Sequence, residues 1–219
     1  MGQLTKTTEE IQQAIDEQYD GDQATNAGWD DLKFPAERSK KIADKEPKET
    51  AYKGGVILEF EYKASDTSGI VFNGQMPHAY KDGTDLEAHM HLVLPVTTPA
   101  TEEYVRFEMT YSWAEIGGVF PAEITIANEF NVASITADMH FVVGLHDLID
   151  DTKSILSANK AAKATPPPSD VSSMILCSLV RTPVTGIGHD EYEDSIYLLE
   201  TDFHYQIDQE RGSREEYAK

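Results

Sequence analysis

The sharpest chemical spacing in the chain is Gly83-Thr84-Asp85-Leu86-Glu87-Ala88-His89-Met90-His91. Histidines at i and i+2 of a strand project from one face, and two imidazoles on one face can share a divalent metal. The same alternation sends Met90, Leu92 and Leu94 to the opposite face. That apolar set has the better claim to an interior, so His89 and His91 turn outward with Glu87. A polar strand face, lining a subunit contact, is the preferred reading. His89 and His91 stand as the lesser candidates for a metal site, and neither a catalytic residue nor a cofactor is expected.

A glycine, five residues and His-x-His also open the metal-binding motif of cupin enzymes. The match ends there, because no glutamate follows within several residues of His91 and no later Gly/Pro/His segment completes the pattern. A cupin-like metal-dependent enzyme using His89 and His91 is therefore the alternative to a non-enzymatic protein. Other signals are weaker. Ser157-Ala158-Asn159-Lys160 spells Ser-x-x-Lys, but the Ser-Asp-Asn and Lys-Thr-Gly elements that accompany it in acyl-enzymes are absent. Gly186-Ile187-Gly188 runs into an acidic loop instead of a helix, which argues against phosphate cradling. Asp147, Asp150 and Asp151, and separately Asp190, Glu191, Glu193 and Asp194, could offer oxygens to Ca²⁺. Neither set follows an EF-hand loop, and a solvated acidic loop is the plainer reading.

The charge bounds the partners. The chain carries 39 acidic against 18 basic residues, a net −21. Residues 1–53 account for −4 of this and residues 54–219 for −17. Nucleic acid and anionic lipid need Lys and Arg to displace counterions, so neither is an expected partner. The one cysteine, Cys177, lies in the apolar run Met174–Val180, reads as a buried inert thiol and permits no intrachain disulfide. Residues 1–13 lack the apolar core of a signal peptide, and no run approaches a membrane span, so folding in a cytoplasm is expected.

Elements that could position these groups change character at Gly54. Before it, Thr7 and Glu10 fit a capping box, and Ile11, Ala14, Ile15 and Tyr19 recur at helical spacing. A short helix followed by a polar, turn-rich stretch with Trp29 and Phe34 as anchors predicts an N-terminal arm over 1–53. From residue 54 the period is two. Val56, Leu58, Phe60 and Tyr62 alternate with charged residues. So do Val105–Trp113, Met139–Leu145 and the set Tyr197, Leu199, Phe203, Tyr205 and Ile207. Runs at 69–73, 86–94, 119–127 and 173–181 bring the expected count to about eight strands. The predicted fold is all-β: an antiparallel two-sheet sandwich of jelly-roll type over 54–210, with a C-terminal tail at 211–219. Residues 146–170, ending in Pro166-Pro167-Pro168, form one long excursion.

The chain resembles a group of tailed-bacteriophage virion-associated proteins, most without an assigned role. The likeness is carried by Trp29-Asp30-Asp31-Leu32-Lys33-Phe34-Pro35, by Met76-Pro77-His78-Ala79-Tyr80-Lys81-Asp82-Gly83-Thr84-Asp85-Leu86 leading into His89-Met90-His91, and by Tyr111–Phe120. Ser172-Ser173-Met174, Glu200-Thr201-Asp202-Phe203-His204-Tyr205 and Glu215–Lys219 continue it. It implies a structural jelly roll in many copies, a trimer in the leading picture, assembled in the host cytoplasm and located in the virion. Capsid decoration (cement) stands slightly ahead of neck or tail attachment. The implied partners are further copies and the major capsid, neck or tail proteins. Interface candidates are Trp29, Phe34, Ile11 and Ile15, with Tyr217 in the tail. A carbohydrate-binding host-recognition module is a further alternative. The resemblance implies no catalytic residue.

Overall fold

In the computed structural model the described residues are 28–42, 46–62, 68–81, 86–145 and 172–207. The alternating segments become strands: β4 (Gly55–Phe60), β5 (Ser68–Gln75), β6 (Leu86–Val93), β7 (Tyr104–Ala114), β8 (Ile124–Asn131), β9 (His140–Gly144), β10 (Met174–Thr182) and β11 (Ile196–Gln206). Their pairing is that of one long hairpin. β7 pairs with β8, β6 with β9, β5 with β10 and β4 with β11, all antiparallel. Rolling this hairpin brings β10 beside β7 and β11 beside β6. Two sheets result, the jelly-roll arrangement.

The residues of one parity meet between the sheets. Phe107, Met109, Tyr111 and Trp113 of β7 face Leu58, Phe60, Met90, Leu92 and Phe203 of the other sheet in one buried cluster. Phe60 meets Phe107 edge-on at 5.3 Å. At about 25 cal/mol per Å² of apolar surface removed from water, each such large side chain contributes roughly 2 kcal/mol, and this drives the sheets together. The indole N–H of Trp113 is satisfied inside by the Ser173 hydroxyl at 2.8 Å. Cys177 is buried among these groups, and burial pushes its thiol pKa far up, so it is inert as expected.

Two expectations need correction. Strands at 29–35, 40–41 and 48–52 are part of the body, so the sandwich begins well before Gly54. β1 (Trp29–Pro35) pairs with the distal half of β11, β2 (Lys40–Lys41) with β5, and β3 (Lys48–Tyr52) with β4. The full orders are β3-β4-β11-β6-β9, with β1 also on β11, and β2-β5-β10-β7-β8. Phe34 is correspondingly a core residue and not an interface anchor. Its ring packs 4.8 Å from Phe72 and 5.6 Å from Phe203, over a bare Gly74 whose added Cβ would sit 2.5 Å from it. Trp29, by contrast, is half-exposed at the start of β1. Charged edge strands carry little apolar signal, since one face and one edge meet water. That dilution hid the three strands.

The second correction concerns β11. A β-bulge between Leu198 and Glu200 shifts the register against β6. Ile196 and Leu198 are therefore buried, where simple alternation assigned Tyr197 and Leu199 to the core. Past the bulge the parity is reset, and Phe203 and Tyr205 point inward. The expected helix with Ile11 and Ile15, the 146–170 excursion with Ser157 and Lys160, the acids at 147–151, and the tail with Tyr217 lie outside the described residues.

Candidate functional site

The reset in β11 places Asp202 directly opposite His89 of β6, and His204 opposite Asp31 of β1. All four are on the outer face of the first sheet, away from the core. On the far side of β6, β9 contributes His140. The outward direction of His89 and His91 follows the sequence pattern, because Met90 and Leu92 occupy the interior. A carboxylate and two more imidazoles gather around them.

The geometry is tight. His89 Nε2 lies 2.7 Å from Asp202 Oδ1, and His91 Nε2 lies 3.4 Å from Asp202 Oδ2. His91 Nδ1 is 2.8 Å from His140 Nε2, with the two rings stacked at 15°. His204 Nε2 is held by Asp31 Oδ1 at 2.9 Å, and its ring meets that of His89 edge-on at 4.2 Å. Asp202 is only 1% exposed and His89 8%, while His91 is partly open to solvent. The approach of His89 Nε2 to Asp202 Oδ1 is the shortest contact in the cluster. Burial alone would lower the His89 pKa. The Asp202 and Asp31 carboxylates and the Glu87 backbone more than offset it, holding His89 above its ordinary 6.5.

Among the described residues, two sets of side chains offer ligand atoms within 4.8 Å of one another: His89, His91 and Asp202; and Asp31, Asp202 and His204. Imidazole and carboxylate in this mixture suit a first-row divalent metal. Asp202, His204, Asp31 and His140 were not singled out as site residues from the sequence. The signal available was the polar set Glu200, Asp202 and His204 on β11, but only the strand pairing tells which strand it faces.

The remaining sequence candidates resolve differently. Gly186-Ile187-Gly188 lies in the β10–β11 loop, where an internal carboxylate occupies the amides. Glu129 of β8 accepts the backbone N–H groups of Thr185 at 2.7 Å and Gly186 at 3.0 Å, and also pairs with His189. The His189 ring stacks flat on Tyr104 at 3.7 Å. Burial would raise the Glu129 pKa, but these donors hold it below its ordinary 4.5. Glu191 accepts the Val184 N–H at 2.7 Å and lies near Arg181, so it does not gather oxygens for Ca²⁺ with its neighbours.

An open groove of about 560 Å³ crosses the outer face of the second sheet. Thr110, Ser112, Leu176 and Ser178 floor it, and Lys33, Arg38 and Lys40 stand along one side. Its aromatic lining residues, Phe34, Phe72 and Tyr111, are all buried. The hairpin tip between β7 and β8 is different in kind. Ile116, Val119 and Phe120 are 70%, 91% and 43% exposed around a turn made by Gly117 at φ 78°.

No protein-family model matches the chain, and no curated protein is similar to it in sequence. Among solved structures it is similar to a chain of infectious bursal disease virus Gx strain, with a TM-score of 0.35 and 10% identity over 85% of this chain. It is also similar to the family 11 carbohydrate-binding module from Clostridium thermocellum, solved with a β-1,3-1,4-mixed-linked tetrasaccharide. That match has a TM-score of 0.35 and 9% identity, covering 83% of this chain and 91% of the module. The chain spans about a third of the length of the viral chains it matches. Likenesses this distant carry no argument about ligand or partner, and the fold assignment rests on the strand register.

Proposed function

We propose that the chain is a non-enzymatic structural component of a tailed-phage particle, a capsid decoration protein ahead of a neck- or tail-attached one, that binds neighbouring virion subunits. The observation that carries this reading is the β7–β8 tip. Three apolar side chains exposed in the loop that joins β7 and β8 cost solvation in the free protein, and docking in a neighbour's pocket removes that cost. Ile187, wholly exposed in the β10–β11 loop, leaves from the opposite end of the same sheet, since Ala114 pairs with Met174 and Arg106 with Thr182. Sticky ends at both poles of a filled sandwich suit a subunit with neighbours on two sides. The motif resemblance to phage virion proteins supports the same role, with further copies and the capsid, neck or tail proteins as partners. A carbohydrate-binding role finds less support, because the groove presents no exposed aromatic platform for a sugar ring.

The test is imaging of the intact particle, with expected density for repeated copies whose hairpin tip enters a neighbouring subunit. Particles without this chain would end the reading. Val119→Asp with Phe120→Ser is expected to cut incorporation on the order of tenfold or more, as for a central contact. Exposed substitutions of this kind leave the stability of the isolated protein within about 0.5 kcal/mol.

A further inference from the structure

The outer-face cluster supports a second inference, independent of where the protein resides. We propose that His89, His91 and Asp202 bind a divalent transition metal of zinc type, with His140 as the positioning partner of His91.

Three observations point there. First, both histidines have their second ring nitrogen engaged elsewhere. The Glu87 backbone bonds the His89 ring, and His91 Nδ1 faces His140 Nε2 at 2.8 Å. With the ring protons on those nitrogens, both Nε2 lone pairs turn toward Asp202. Metal-bound histidines are oriented in this way, by a bond from the non-ligating nitrogen. Second, Asp202 is almost wholly buried and turns its two oxygens to the two imidazoles, Oδ1 to His89 at 2.7 Å and Oδ2 to His91 at 3.4 Å. With the ring protons placed on the outer nitrogens, the gap between the two Nε2 atoms and this carboxylate is one that a cation fills. Third, the neighbouring lysine does not supply that cation. Lys33 is held at 3.7 Å by Asp31 and at 4.0 Å by Glu200.

The spacing suits the ion. Zinc bonds of about 2.0–2.2 Å in tetrahedral array put ligand atoms about 3.3–3.6 Å apart. His91 Nε2 and Asp202 Oδ2 are at 3.4 Å, and His89 need only open by a fraction of an ångström from 2.7 Å. Two imidazoles and one carboxylate leave a coordination position on the solvent side, at the partly open His91. Water or a side chain from another subunit would complete it. His204 is already held by Asp31, so the overlapping second set is a flank of this site and not a second ion site.

The full chain, stripped with chelator, is titrated with Zn²⁺ by calorimetry and with Co²⁺ by visible absorption. One saturating equivalent is expected, with Co²⁺ bands of a low-coordinate nitrogen–oxygen site. His91→Gln and Asp202→Asn should each weaken Zn²⁺ binding by about 100-fold or more, and His140→Ala by about tenfold, as for an orienting partner. His189→Gln, at the separate Glu129–His189 pair, should leave it unchanged. Should Asp202→Asn fail to fold, His91→Gln carries the test, with circular dichroism confirming its fold. The inference is overturned if no saturable Zn²⁺ binding occurs, in which case a proton alone fills the gap. It is equally overturned if His91→Gln binds as wild type does.

Discussion

Glu129 and Asp202 are both carboxylates on outer sheet faces, each within 3 Å of a histidine, yet their surroundings differ. Glu129 is closed: two backbone amides and His189 take up its oxygens. Asp202 instead turns its oxygens to imidazoles, Oδ1 to His89 at 2.7 Å and Oδ2 to His91 at 3.4 Å. Backbone N–H groups can only donate, so a carboxylate they saturate is a staple for the loop that supplies them. Imidazoles can present lone pairs instead, so a carboxylate among them can share a cation. The difference separates a fastening from a binding site, although both look like a histidine–acid pair.

The largest effect that would sharpen this contrast lies at Arg181, the second fastening of the β10–β11 loop. Its guanidinium donates to the carbonyls of Phe60 at 2.9 Å and Asp194 at 2.8 Å, and to that of Tyr192. Burial lowers its pKa to about 10, which leaves it charged at neutral pH. Arg181→Met would strand these buried acceptors and should cost about 3–5 kcal/mol in denaturant unfolding. A cost under about 1 kcal/mol would show that the loop is not fastened from this side.

Much of the body was legible in the residues and much of the site was not, for one physical reason. The period-two rhythm of Val105 to Trp113 or of Leu86 to Val93 is local, and a strand formed at each expected run, although the one expected at 119–127 starts only at Ile124 and runs on to Asn131. β1 to β3 escaped because Asp30, Asp31, Lys33, Lys40 and Lys41 dilute the rhythm at a wet edge, leaving Phe34 to read as a lone anchor. In β11 the rhythm itself changes phase at a bulge that no residue type announces. The site depends on pairing between strands far apart in the chain: Asp202 meets His89 only because the long hairpin rolls β11 onto β6. His89 and His91 could be picked out by spacing, while their carboxylate could not.

A smaller effect tests the closed side directly. Glu129→Ala leaves the Thr185 and Gly186 amides without acceptors and should cost about 1–2 kcal/mol. The cost should depend on acidity in one direction. Because the folded carboxyl lies below its ordinary 4.5, its contribution is present in full above that value. It is lost as the pH falls through the depressed folded value. Wild type and variant should therefore converge in urea unfolding as the pH falls through that depressed value. A gap that stays constant throughout the acid range would mean that packing of the side chain, and not its charge, fastens the loop.

The smallest expected effect is the most discriminating. In metal-free protein Asp202→Asn replaces a buried charge lacking a full set of donors by a neutral amide of the same shape. The desolvation penalty removed then offsets the attraction lost to His89 and His91. At mildly alkaline pH the change in unfolding free energy should stay within about 1 kcal/mol, despite the deep burial. Saturating Zn²⁺ should raise the melting temperature of wild type and leave that of the variant unmoved, since a ligand stabilises only the state that binds it. A metal-free loss above about 2 kcal/mol would put Asp202 in the same class as Glu129, a fastening between strands. A small loss with no Zn²⁺ response in either protein would leave Asp202 as neither.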